Sequence, residues 1–352
     1  MRNGSLRRWL SRLHLWAGLS VGLIFALLGI SGAVLVFHNP LLRWQYPQLA
    51  EHAPVAHAQV LHHISQSPHA NDLSSLDLPR PALPVWQGHY RDGSRGYFAP
   101  DDGRLLLIRR PGKDWLMFLH DFHVKLLAGK PGREVLGILA WPCLLLLLTG
   151  LYLWWPKPGG FWLSLRWYRQ PALRRWHSWH QSTGALILPM LLLLVLTGLS
   201  FVYPNLFRIG LTSVFGGTPL PMLEEPAANH ADVDWQTVLE SAQQALPDAR
   251  IHRVSLPQDD KDAVNIRLQA AGEWHPNGRS QVIVSRDGKT LHQVVDARRQ
   301  ALGQRIQMSF YPLHIGAVGG LAMQIFTALA GLAAAFLFFT GLMRWWRGRP
   351  AG

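Results

Sequence analysis

Cysteine is almost missing from the 352 residues: Cys143 stands alone inside an apolar run. A disulfide framework within the chain is therefore excluded, and a zinc–thiolate site has no ligands to draw on. Cys143 itself reads as a small buried hydrophobe. Charge is scarce too, at 16% against 49% hydrophobic residues, where an ordinary soluble domain carries about 25% charged residues. Acidic residues are absent from three short stretches. Residues 1–12 hold Arg2, Arg7, Arg8 and Arg12; residues 156–181 hold Lys157, Arg166, Arg169, Arg174 and Arg175; the tail holds Arg344, Arg347 and Arg349. All 21 acids fall within 38–134 and 204–312. The short basic linker also lacks a Gly-rich dinucleotide fingerprint, so the chain has no evident site for NAD(P)H.

What the chain has is long apolar runs and 16 tryptophans, many of them beside those runs. Trp favours the membrane interface, where its ring is half apolar and its N–H stays wet. Four segments are long and apolar enough to cross a bilayer. They run from about Leu13 to Phe37, Val135 to Trp155, Gly184 to Tyr203 and Ile315 to Met343. Pro142 and Pro189 are predicted to kink the second and third, which membrane helices tolerate. The first has basic flanks like a signal peptide but too long an apolar core and no small-residue cleavage site, so it reads as a retained signal anchor. Short Lys/Arg-rich segments stay in the cytoplasm. Both termini are therefore expected inside, and both long segments outside a bacterial inner membrane. The net charge of +13 then reflects topology and anionic lipid rather than nucleic-acid binding.

The chain is also a tandem repeat. Each span carries Ser/Thr-Gly: Ser31-Gly32, Thr149-Gly150, Thr197-Gly198 and Thr340-Gly341. The first and third spans open with His-x-x-x-Gly, at His14 and Gly18 and at His180 and Gly184, and each histidine lies 18 residues before the span's Ser/Thr-Gly glycine. In the second and fourth, His123 and His314 each lie 27 residues before Gly150 and Gly341, and both spans end on a Trp pair, Trp154-Trp155 and Trp345-Trp346. Two copies of helix–outer segment–helix account for this, over about 5–155 and 174–347.

The outer segments read as two small α+β domains. The first has helical character near 55–66, strands near 84–90, 95–99 and 104–109, and an Asp-Gly turn at Asp102-Gly103. The second has a helix near 234–246, strands near 249–256, 262–269, 280–285 and 289–295, and a turn at Asp287-Gly288. The predicted class is an α-helical membrane protein with four transmembrane helices as a tandem duplication of two. Its predicted order is a first span with a cytoplasmic N-terminus (1–38), an outer domain (39–113), an interfacial helix and second span (114–155), and a cytoplasmic linker (156–181). A third span (182–203), a second outer domain (204–305), and a fourth span with a cytoplasmic C-terminus (306–352) follow.

Particular motifs carry a resemblance. They are Arg12-Leu13-His14-Leu15-Trp16-Ala17-Gly18, Phe122-His123-Val124-Lys125-Leu126-Leu127-Ala128-Gly129 with Pro131-Gly132-Arg133, Trp179-His180-Gln181-Ser182-Thr183-Gly184, and Pro312-Leu313-His314-Ile315-Gly316. With these the chain resembles the PepSY-associated transmembrane family and, within it, the iron-regulated inner-membrane ferric-siderophore reductases of the FoxB type. The resemblance implies b-type haem, PepSY-like outer domains and siderophore iron as the electron acceptor. No Cys-x-x-Cys-His is present, so haem would be held without covalent attachment.

The repeat isolates four of the 17 histidines. A duplicated pair of helices leaves both copies pointing the same way, with the pseudo-twofold axis along the membrane normal. His14 and His180 are then equivalent at the inner edge, and His123 and His314 at the outer edge. Two haems on that axis would each meet one imidazole per face, which suits electron transfer. His120 and His177, one turn before His123 and His180, are rival ligands. Gly18 and Gly184 would let a flat macrocycle approach, or they pack helices. Arg12, Arg174 and Arg175 are candidate propionate partners, or plain cytoplasmic anchors. For the acceptor, the segments just upstream of the outer ligands offer Lys113, Trp115, Met117, Arg305, Met308 and Tyr311.

The leading reading is a di-haem conduit that takes electrons from a quinol or a cytoplasmic protein and reduces ferric siderophores outside. Alternatives are a quinol-linked b-type cytochrome with another acceptor, or a non-redox protein whose PepSY-like domains bind a partner or restrain a peptidase. The topology is testable directly. A periplasm-active reporter fused at Asp72 is expected to be active and one fused at Arg169 silent; the opposite pattern would overturn the orientation.

Overall fold

Runs of Leu, Ala and Val without acids favour helices, which satisfy their own backbone where water is absent. The computed structural model describes residues 4–49, 57–217, 232–257 and 263–348. His52, Arg2 and Arg349, and the first residues of the helix and strand read near 55–66 and 262–269, lie outside them. Among the described residues the helices are α1 (Gly4–Ser20), α2 (Gly22–Leu35), α3 (His38–Gln45), α4 (His57–Gln66), α5 (Trp115–Lys125), α6 (Gly129–Trp154), α7 (Phe161–Ser164), α8 (Ala172–Val202), α9 (Pro204–Phe215), α10 (Trp235–Ala245), α11 (Leu302–His314) and α12 (Gly320–Arg347). The strands are β1 (Leu73–Asp77), β2 (Trp86–Tyr90), β3 (Arg95–Phe98), β4 (Leu105–Arg109), β5 (Ala249–Ser255), β6 (Val264–Ala270), β7 (Ser280–Val284) and β8 (Leu291–Val295). The chain divides into two units, one of Met1–Phe37, Leu119–Phe207 and Leu313–Gly352, the other of His38–Phe118 and Arg208–Pro312.

In the first unit, α6, α8 and α12 are each long and apolar enough to cross a membrane. A fourth span exists if α1 and α2 are counted as one, but they meet at a 57° bend. The segment expected as the first span is thus a broken helix. Gly18, Ser20 and Gly22 crowd the break, and the Ser20 hydroxyl donates back to the carbonyls of Trp16 and Ala17. Small residues and such back-bonding are recognised causes of bending. Pro142 and Pro189, by contrast, sit inside continuous helices. Helix α8 also begins at Ala172, ten residues before the predicted third span, so the end of the predicted 156–181 linker is helical. Its extra turns carry His177 and His180.

Packing in the bundle rests on small residues, as expected where lipid removes the hydrophobic drive between helices. Helices α2 and α12 cross backbone to backbone. A Cβ on Gly29 would meet the Gly331 carbonyl oxygen at 2.3 Å, and one on Gly331 would meet that of Gly29 at 2.4 Å. Cys143 is buried in the core with Leu147, Leu191, Val195, Leu199 and Ala334.

The second unit corrects the expectation of two separate α+β domains. All eight strands form a single antiparallel sheet in the order β4-β3-β2-β1-β5-β6-β7-β8. Each copy contributes a four-stranded meander, and the two join where β1 pairs with β5, with Leu76 opposite Val254 and Asp77 opposite Arg253. The join satisfies two rows of backbone groups that separate domains would expose. Strand β1 reads as Leu-Ser-Ser-Leu-Asp, too short and polar to be picked out beforehand. On one face the sheet alternates cleanly: Val264, Ile266, Leu268 and Ala270 of β6 are buried, and the residues between them only partly so. That apolar face packs with Val60, Leu61 and Ile64 of α4 and Trp235, Val238 and Ala242 of α10. Asp234 caps α10, accepting from the Thr237 amide at 3.1 Å.

A second cluster, including Leu42, Leu49, Tyr97 and Leu116, lies near a buried ion pair. Arg109 grips Asp114 through Nε at 3.0 Å and Nη2 at 2.5 Å, and donates to the Tyr97 hydroxyl at 2.9 Å. Asp114 also accepts from Tyr46 and from the Met117 amide, each at 2.9 Å. Burial pushes the Asp114 carboxyl up, but the Arg109, Met117 and Tyr46 hydrogen bonds outweigh it and bring it down to about 2. Its folded value is below its unfolded one, so its contribution is present above the ordinary carboxylate range and lost as pH falls from about 4 to about 2. Asp114→Asn leaves Arg109 unpaired in the interior. It is expected to cost about 3–5 kcal/mol, read as a lower melting temperature that no longer falls with acid over that range as steeply as the parent's does.

Candidate metal centres

Four histidines of the first unit, each carried on a different helix, meet as two pairs. His14 on α1 and His180 on α8 have ring centres 6.1 Å apart and planes at 85°. His123 on α5 and His314, the last residue of α11, have centres 6.3 Å apart and planes at 60°. Thr197, which touches His314, follows His180 on α8 by 17 residues, about 25 Å of rise at about 1.5 Å per residue. The pairs therefore occupy opposite ends of the bundle. The repeat brings together these four and leaves the rivals out: His120 is 55% exposed beside Asp121, and His177 is exposed on α8.

Each ring is fixed through Nδ1. His14 meets the Thr149 hydroxyl at 2.9 Å and His314 that of Thr197 at 2.7 Å. His123 meets the Ser31 hydroxyl at 3.0 Å and the Leu28 carbonyl at 3.1 Å. His180 meets the Thr340 hydroxyl at 3.2 Å and the Leu337 carbonyl at 3.0 Å. Every one of these hydroxyls already donates to a carbonyl of its own helix: Ser31 to Leu28, Thr149 to Leu145, Thr197 to Leu193 and Thr340 to Phe336. Its hydrogen is committed, so the oxygen accepts and the imidazole donates. All four rings are thereby held as the Nδ1–H tautomer, with Nε2 left as the electron-pair donor.

The glycine after each hydroxyl makes room for the ring. An added Cβ would meet His123 Cε1 at 2.9 Å from Gly32, His14 Cε1 at 3.3 Å from Gly150, His180 Cε1 at 3.4 Å from Gly341 and His314 Cε1 at 3.7 Å from Gly198. The sequence marked Ser/Thr-Gly only as a sign of duplication. Its recurrence at a fixed interval from a histidine was the available signal that the two belong to one site. At Gly18 and Gly184, expected to admit a macrocycle or to pack helices, an added Cβ would meet Leu146 at 3.8 Å and Leu337 at 3.5 Å, ordinary contact distances. Beside His123, Leu126 and Leu127 adopt left-handed backbone, with φ of 48° and 61°. Such strain in residues with side chains is held only where the surroundings demand it.

The other expected site residues are scattered. Arg12 is exposed on α1. Arg174 lies over the Tyr168 ring at 3.6 Å, and Arg175 over Trp176 at 4.6 Å. Arg344, not singled out from sequence, is the cation within electrostatic reach of both His14 and His180. In the second unit Trp115 is exposed on α5, and Arg305, Met308 and Tyr311 lie on α11. Arg305 is exposed, Met308 is half-buried, and Tyr311 stacks on His275 with ring centres 4.9 Å apart.

Two donors per centre do not complete the four-ligand shell of a structural zinc, and no group of three or more His, Cys, Asp or Glu suited to a metal occurs among the described residues. They do fit a metal whose other positions are filled by a macrocycle, as in haem with two axial imidazoles. Two metal–nitrogen bonds of about 2 Å, and about 1 Å from each nitrogen to its ring centre, put collinear ring centres about 6 Å apart, the spacing of both pairs. His14, His180, His123 and His314 would hold the groups, and Arg344, within electrostatic reach of His14 and His180, would balance carboxylates at the first.

A sequence profile for the family described as "PepSY-associated TM region" matches residues 11–348. No curated protein sequence matches the chain. The graded crowding at the glycines gives an ordered expectation. Gly32→Ala should displace His123 and weaken the visible absorption of any haem bound to that pair, whereas Gly198→Ala should leave such absorption close to the parent's. Equal effects of the two substitutions would contradict the cradle.

Proposed function

The chain belongs to the PepSY-associated transmembrane family, and from that membership and its paired histidines we propose that this multi-pass protein is a di-haem b electron conduit reducing ferric siderophores. The finer likeness is to the FoxB-type reductases. The observation that carries the reading is that in both pairs each Nδ1 is tied to a neighbouring helix and the two ring centres lie 6.1 and 6.3 Å apart, the spacing that one metal between two imidazoles requires. Haem held by these imidazole pairs would supply one-electron transfer rather than oxygen binding.

The residues divide the work. His14 and His180 hold the group at the end that carries the basic segments, with Arg344 beside them and Arg12, Arg174 and Arg175 nearby in sequence. His123 and His314 hold the other. On this reading the first end lies in the cytoplasm of a bacterial cell and the second at the outer face of the inner membrane, supported by the tendency of short basic segments to stay inside. A ferric chelate is bulky and polar, so its reduction belongs at the outer face. Reduction to Fe(II) loosens hard oxygen donors and releases the metal. The electron donor is a quinol or a separate cytoplasmic protein, since the linker has no dinucleotide fingerprint.

The test begins with a pyridine haemochrome assay, for which two haems per chain are expected. His14→Ala or His180→Ala should remove one and spare the other, and His123→Ala or His314→Ala should do the reverse. Dithionite-reduced protein mixed with a ferric siderophore and a ferrous trap should reoxidise and yield the Fe(II) complex. Haems that stay reduced with several ferric siderophores would leave the quinol-linked cytochrome as the better reading. A colourless protein would leave the non-redox binding module.

A further inference from the structure

The apolar face of the eight-stranded sheet is covered by α4 and α10; its other face gathers arginines. One cross-strand row runs Gln87, Asp77, Arg253, Arg267, Gln281 over β2, β1, β5, β6 and β7. Arg253 and Arg267 stand directly opposite each other, an arrangement that destabilises a sheet unless something bridges it. Asp77 is the acid in that row, and its charge is already shared. Arg253 holds it through Nε and through Nη2 at 2.9 Å, His89 meets it at 3.0 Å, and Arg80 lies 3.5 Å away. Arg80 in turn reaches the Pro276 carbonyl at 3.3 Å and the Asn277 side chain, which ties the segment after β1 to the loop between β6 and β7.

That loop adds Arg279 and the buried His275. Neither Arg267 nor Arg279 has a carboxylate within 4 Å among the described residues, and the Nε of Arg279 is buried without a hydrogen-bond partner there. Glu273, the other acid near Arg279, spends its oxygens on the amides of Ala270 and Arg279 and on the Ser280 hydroxyl. The crowding of positive charge is felt by the neighbours. His275 is pushed down to about 3, by burial first and then by Arg279, Arg267, Arg253 and Arg80. Arg267 is lowered by burial and then by Arg253 and Arg279.

Half-buried guanidinium forks with no partner suit planar oxyanions, which they bind bidentately. Asp77 on Arg253 already shows the geometry within the cluster. We infer that this face of the sheet is a binding site for a small-molecule anion with at least two carboxylate groups, gripped by Arg267 and Arg279. The site lies wholly within the second unit and does not depend on the redox reading. A free polycarboxylate and the same polycarboxylate chelating ferric iron share this chemistry.

The test uses the full-length oxidised protein in detergent, with no electron flow, so its outcome and that of the reductase assay are separable. Citrate, ferric citrate and inorganic phosphate are titrated at constant ionic strength, following melting temperature and calorimetric Kd. Citrate or its ferric complex is expected to saturate one site and raise the melting temperature; whichever binds more tightly identifies the source. Arg267→Gln with Arg279→Gln should weaken that binding about tenfold or more. Arg267→Lys keeps the charge without the fork and should fall between. Because it relieves repulsion, Arg267→Gln should not lower the melting temperature of the ligand-free protein. A parent protein that responds to neither citrate form, a response that survives the double substitution, or phosphate binding as tightly as citrate would each overturn the inference.

Discussion

The hydrogen bond from a histidine Nδ1 to a hydroxyl on another helix is the interaction on which the bundle's organisation turns. Each histidine is braced by the other spanning element of its own repeat: His14 by Thr149, His123 by Ser31, His180 by Thr340 and His314 by Thr197. Each facing pair, however, takes one ring from each repeat. A repeat thus prepares two half-sites, and juxtaposing two repeats completes both. Duplication suits the geometry, because a facing pair of equivalent imidazoles is most simply made by two copies of one imidazole.

The packing around this arrangement is not symmetric. Gly29 and Gly331 bring α2 and α12 into backbone contact, whereas Val195 and Ala140 stand at the positions that the repeat makes equivalent on α8 and α6. Side chains therefore separate the second seam, and Cys143, Leu147 and Leu191 fill the space around it. The two seams between repeats differ in closeness although their histidines match.

Much of this was legible in the sequence. The long helices followed from apolar runs, and the four histidines from equal spacings, because a duplication preserves intervals even where the intervening residues drift. The positions of α10 and β5 to β8 were readable from alternation and turns. The bend between α1 and α2 was not, since Gly18, Ser20 and Gly22 look like ordinary small residues of a membrane helix. Pro142 and Pro189, the residues that the sequence marked for kinks, lie within the unbroken helices α6 and α8. The fused sheet was hidden because strand pairing between Asp77 and Arg253 depends on residues far apart in the chain, which no local pattern encodes. The arginine cluster was hidden for the same reason, since Arg253, Arg267 and Arg279 are spaced along the chain like any surface charges.

That pairing has a consequence for biogenesis. A nascent chain that has emerged only through the first repeat possesses β1 to β4 but not β5, so the inner edge of its meander has no neighbour. Its amides and carbonyls wait, open to any passing strand, until ribosomes have delivered the second repeat. A message truncated between the copies would thus yield a half-protein with a sticky edge in addition to two unmatched histidines, and such fragments would be natural clients for chaperones and quality-control proteases.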